Sequence, residues 1–105
     1  GDRGRYGMSN TDLYRLALST YGAEAQTLMV MEEMSELQKE LCKHARGKDN
    51  QLSIAEEIAD VLIMLDQMMI LHDCESIVAQ YKQEKLERLE NRIVNIHDGE
   101  GDDDD

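Results

Sequence analysis

Between Met8 and Asp98 the chain contains no proline and only two glycines, Gly22 and Gly47. These two residue types interrupt helices most strongly, costing about 3 and about 1 kcal/mol in a helix interior. A run of roughly ninety residues almost free of both, and rich in Leu, Met, Glu, Lys and Gln, is expected to be helical throughout. The exceptions then mark the joints. Helix one is predicted to start after the cluster Ser9-Asn10-Thr11 and to end near Tyr21, with Gly22 as the stop. Its inner face reads as Leu13, Leu16, Ala17 and Thr20. Helix two runs from Ala23 to Arg46, with Gly47 as its C-cap. Ser53 followed three residues later by Glu56 reads as a capping box opening helix three, which continues to about His72. Asp73 is placed to cap helix four, from Cys74 to about Ile96. The fold class expected is all-α, an antiparallel bundle of about four helices.

The ends add little to a core. Residues 1–8 are expected to be an expression-derived or disordered N-terminus, with Met8 as the natural start. Residues 98–105 read as an acidic disordered tail, leaving one helical domain over 9–97. A domain of that size hides only about 60% of its unfolded surface. Leu62, Met69 and Ile70 also fall off the main apolar stripe of helix three. A homo-oligomer, dimer or tetramer, is the expected remedy. No apolar run approaches the roughly 20 residues of a membrane span, and no signal peptide is visible, so a cytoplasmic protein is expected. Cys42 and Cys74 lack metal spacing and read as reduced thiols. The net charge of −12 disfavours nucleic acid polymers, because a bare phosphate backbone would be repelled.

Two segments share a pattern that the helical reading leaves unexplained: EEMSELQKEL from Glu32 and EEIADVLIML from Glu56. On helix two, Val30, Met34, Leu37 and Leu41 make an apolar stripe, with Glu33 and Glu36 together on its edge. On helix three the stripe is Ile54, Ile58, Val61 and Leu65, with Glu57 and Asp60 in the same relation. Packing the stripes together brings four carboxylates to one rim. Acids near a helix start are ordinarily explained by the macrodipole, which accounts for Glu32 and Glu56. It accounts poorly for the other four, since nothing basic is written into either stripe to pair with them. Convergent carboxylates without a neighbouring imidazole suit a hard cation, Mg²⁺ with Mn²⁺ as a substitute. A di-iron bundle would want Glu-x-x-His motifs, which are absent; His44 and His72 read as ordinary.

At this point the residues resemble a family. Glu32-Glu33-x-x-Glu36 on one helix and Glu57-x-x-Asp60 on the next look like the paired motif of the MazG-type nucleotide pyrophosphohydrolases, the all-α NTP pyrophosphatases. The resemblance covers Thr11–Arg92, including EAQTLMVMEEMSEL and KLERLENRI. It implies Mg²⁺-dependent cleavage of an NTP or dNTP to the monophosphate and pyrophosphate, with assembly as dimers or tetramers. It implies Glu33, Glu36, Glu57 and Asp60 as metal ligands. Metal-assisted attack of water on the α-phosphorus is the expected chemistry, with Glu33 or Glu36 as general base.

Phosphate charge also calls for basic side chains. Lys82, Lys85, Arg88 and Arg92 share an arc of helix four, and Lys43 lies two turns beyond Glu36. Lys85, Arg88 and Lys43 are the candidate phosphate contacts, although Glu84 and Glu87 offer the first two ordinary surface partners. Tyr14 and Tyr21 are candidates for stacking on a base, or are plain packing residues. Met64, Met68 and Met69 read as adaptable filler. The competing reading is a non-enzymatic acidic helical interaction module; an acidic nucleic-acid mimic rests on the aspartate tail alone.

Overall fold

A computed structural model describes residues 6–99. Over the described residues the protein is all-α, with four helices: α1 (Asn10–Tyr21), α2 (Ala23–Ala45), α3 (Gln51–Leu71) and α4 (Glu75–His97). The chain divides into two compact units after Asp73. The first holds α1, α2 and α3; the second holds α4. The predicted residues 1–5 and 100–105 lie outside the described part of the chain.

The joints follow local chemistry. Ser9 caps α1 by accepting a hydrogen bond at Oγ from the Asp12 backbone N–H at 3.1 Å. Gly22, at φ +93°, both ends α1 and begins α2. Its N–H donates to the Leu18 carbonyl, and its own carbonyl accepts from Gln26. That backbone lies outside what a side chain adopts comfortably, so a single glycine suffices for the turn. Past Arg46, Gly47 donates to the His44 carbonyl and Lys48 to the Lys43 carbonyl, the paired closure of a Schellman motif.

Two caps differ from the sequence reading. α3 begins at Gln51, not Ser53, and its N-cap is Asn50, which makes no side-chain cap bond. The Asn50 amide is engaged elsewhere: Nδ2 donates to the Glu40 carbonyl and to Glu40 Oε1, both at 2.9 Å. Tying the loop back to α2 draws the start of α3 forward and leaves Ser53 exposed inside the first turn. Asp73 likewise does not cap α4. It stands at φ +49°, just past the α3 C-cap His72, and its N–H donates to the Ile70 carbonyl. Aspartate tolerates this left-handed position better than most residues, so Asp73 closes α3, and Cys74 stands at the head of α4.

α2 and α3 run antiparallel. Gln26, near the start of α2, bonds Gln67, near the end of α3, and Glu40 meets Asn50 at the other end. The buried apolar residues among those described are Val30, Val61 and Met64, all at this seam. Next to them lies a buried amide pair: Gln26 Nε2 donates to Gln67 Oε1 at 2.8 Å, with the two residues 6% and 4% exposed. A polar pair this deep persists because each amide satisfies the other.

The expected stripes are rotated. Met34, Leu41 and Ile58 are exposed, and Leu37, Ile54 and Leu65 are half-buried. Among the covered positions on α2, Gln26, Val30, Glu33, Leu37 and Glu40 form a repeat of four and three residues, with Glu36 and Lys43 half-buried beside it. That is the spacing of paired helices whose seam keeps facing the partner, and it carries the acids into the seam rather than along its edge. On α1 the half-buried face is Tyr14, Ala17 and Leu18, whereas Leu13, Leu16 and Thr20 are exposed. Burial first, then the charge of Asp66 on α3 and hydrogen bonding to it, raise the Tyr14 pKa.

Candidate functional site

The acids of α2 and α3 meet because the antiparallel register is fixed from both ends. Seven residues on from Gln26 is Glu33; seven back from Gln67 is Asp60. The Gln–Gln bond therefore sets Glu33 opposite Asp60 two turns away, and Glu57 joins from the next turn of α3. Glu33, Glu57 and Asp60 each present a carboxylate oxygen, and these atoms all lie within 4.8 Å of one another. All three residues are half-buried.

The electrostatics are those of like charges crowded together. Burial raises the Glu33 pKa first; the charges of Asp60 and Glu57 and a hydrogen bond with Asp60 add to it. Glu57 is raised by burial, then by Asp60 and Glu36. Its Oε2 is shut off from solvent and has no hydrogen-bond partner. A carboxylate oxygen without a donor is costly, since the ionised group has lone pairs and nothing to fill them.

Glu36, the fourth acid expected at this rim, stands apart from the trio. Its Oε2 is paired with Lys39 Nζ at 3.1 Å. The expectation that no base accompanies the acids is thus corrected: Lys39 follows Glu36 by three residues, the spacing at which helical side chains meet. That spacing was visible in the sequence, where Lys39 was passed over. The Lys39 pKa is raised by its hydrogen bond and charge interaction with Glu36, and the charges of Glu40 and Glu57 act in the same direction.

Lys43 is drawn to Glu40 instead, Nζ to Oε2 at 3.2 Å. Glu40 thereby holds two partners, and the hydrogen bonds from Asn50 and then Lys43 lower its pKa. Lys85 and Arg88 lie in the second unit, exposed on α4. There Lys85, with Val78, Tyr81, Lys82, Leu86 and Leu89, lines a groove of about 450 Å³. Tyr21, Glu32 and Glu56 are exposed. The macrodipole reading of the two acids is corrected: Glu32 lies deep inside α2 and Glu56 beyond the first turn of α3, where the dipole no longer acts, so they read as solvated surface. Cys42 and Cys74 are free thiols. No helix among the described residues is long and apolar enough to cross a membrane.

The donor set fits a hard divalent cation. It is all carboxylate oxygen, and one of its members, Glu57, carries a buried oxygen with no hydrogen-bond partner. The three carboxylates stand close enough together that one cation could be held by all of them. Comparison with family models, with curated proteins and with solved structures gives no match for this chain.

Proposed function

We propose that the protein is a Mg²⁺-dependent nucleoside triphosphate pyrophosphohydrolase, cleaving an NTP or dNTP to the monophosphate and pyrophosphate. The observation that carries the reading is the convergence of Glu33, Glu57 and Asp60, with Glu57 also carrying a buried oxygen, Oε2, that has no hydrogen-bond partner. The MazG-type resemblance of the two acidic segments supports it and supplies the substrate class.

In this reading Glu33, Glu57 and Asp60 hold the cation, with Glu36 as the fourth ligand and Mn²⁺ as a substitute. Bound Mg²⁺ supplies positive charge that offsets both the acids and the triphosphate. Water attacks the α-phosphorus; the bond from that phosphorus to the bridging oxygen breaks, and pyrophosphate leaves. Glu33 is the better-placed base of the two acids on α2, because it lies in the acid cluster whereas Glu36 is held by Lys39. Within the unit that holds the acids, Lys43 remains a proposed phosphate contact, first leaving Glu40.

The protein is further proposed to act as a homo-oligomer in the cytoplasm. Leu28, Met31, Leu62 and Ile63 stand exposed on α2 and α3, and Leu86 and Leu89 on α4. Apolar surface of that extent ordinarily marks an interface. A monomeric mass by light scattering at micromolar concentration contradicts the assembly.

The test of the activity is a panel of canonical and modified NTPs and dNTPs incubated with the protein and Mg²⁺, with pyrophosphate as the readout. Release from at least one substrate, abolished by chelator and by Glu57→Gln, supports the proposal. No release from any, or release that Glu57→Gln leaves intact, defeats it.

A further inference from the structure

Lys39 changes what the acid seam does before a cation arrives. Glu36 lies one helical turn from Glu33 and close enough to Glu57 to raise its pKa. By charge and position it belongs with the trio. It stands apart from it with Oε2 at 3.1 Å from Lys39 Nζ, and Glu40 and Glu57 act on the same ammonium. The two acids are held differently: Glu40 has two partners, Asn50 and Lys43, while Glu36 has a single exposed partner. A solvent-facing pair three residues apart is worth little and exchanges readily.

Resting on the cation site proposed above, we propose that the Lys39 ammonium is a built-in competitor for that site: it holds Glu36 out of the ligand set, and a divalent cation gains its fourth carboxylate only by displacing Lys39. The neutral variant Lys39→Gln releases Glu36 and so tightens cation binding. The gain is limited by the modest strength of the pair, to about two- to fivefold at physiological salt. The competition also makes cation affinity depend on a side chain outside the ligand set. No ligand substitution is needed to change it.

The experiment is a Mn²⁺ titration of the substrate-free protein, followed by loss of the free-ion electron paramagnetic resonance signal. The parent, Lys39→Gln, Glu36→Gln and the double variant are compared, with Glu57→Gln as the reference for a damaged site. The expected result is tighter binding by Lys39→Gln and loss of that gain in the Glu36→Gln background. Equal affinity of parent and Lys39→Gln, or the same gain with and without Glu36, overturns the proposal while leaving the cation site standing. Binding by the parent no tighter than by Glu57→Gln overturns both. Circular dichroism confirms that each variant keeps its helices.

Discussion

Asp60→Asn separates an acid kept for chemistry from one that stabilises the fold. Asp60 and Glu33 belong to a group whose carboxylate oxygens lie within 4.8 Å of one another. Two unit charges at that distance repel by about 0.9 kcal/mol in water and about 3.5 kcal/mol at an effective dielectric of about 20. Both side chains are half-buried and reached by solvent, so the lower end applies, about 1 kcal/mol. The amide introduced at position 60 keeps the shape, removes this repulsion and gives Glu33 a donor. In a domain of this size, 1 kcal/mol corresponds to a rise of about 4–8 °C in melting temperature. The assay is a thermal melt by circular dichroism at neutral pH with chelator present. Adding salt should shrink the difference, because screening weakens the repulsion that is relieved. Mg²⁺ should raise the melting temperature of the parent and do much less for the variant, since a ligand stabilises only the fold that binds it. Hydrolysis should be nearly abolished. Glu90→Gln, an exposed charge on α4, should change neither property. A variant that melts at or below the parent, in chelator, refutes the reasoning.

The remaining predictions concern pH and packing. Glu33 and Glu57 have raised pKa values in the fold, so their stabilising contribution is present at low pH and is lost as pH rises through those raised values. Glu40 runs the other way: its lowered pKa contributes stability above the ordinary carboxylate range that is lost on further acidification. Melts across pH in chelator should therefore show stability rising from neutral to mildly acidic conditions and falling below that; saturating Mg²⁺ should remove the rise. Gln67→Leu strands the buried Gln26 amide and should cost about 1–3 kcal/mol by urea denaturation, whereas Gln26→Leu with Gln67→Leu should recover most of that loss.

Helix content was legible because the chain lacks breakers, and three of the four acids expected at one rim do meet. What was missed has physical causes. Ser53 and Glu56 formed a valid local cap signal, but the Asn50 amide found partners on Glu40, and a long-range bond displaced the local one. The apolar stripes were drawn through the most hydrophobic residues, whereas the seam follows a repeat of four and three that admits Gln26, Gln67 and the acids. A buried glutamine leaves no mark in a sequence until its partner, 41 residues away, is known. Lys39 was overlooked because the acids were read against the apolar stripes and not against their own helix neighbours.

The most direct test of the central claim is hydrolysis in water enriched in heavy oxygen, with products separated and weighed by mass spectrometry. Attack at the α-phosphorus places the heavy oxygen in the nucleoside monophosphate and leaves pyrophosphate unlabelled; that result, dependent on Mg²⁺ and lost with Glu57→Gln, is the one predicted. Label in pyrophosphate, or orthophosphate as the first product, contradicts the account.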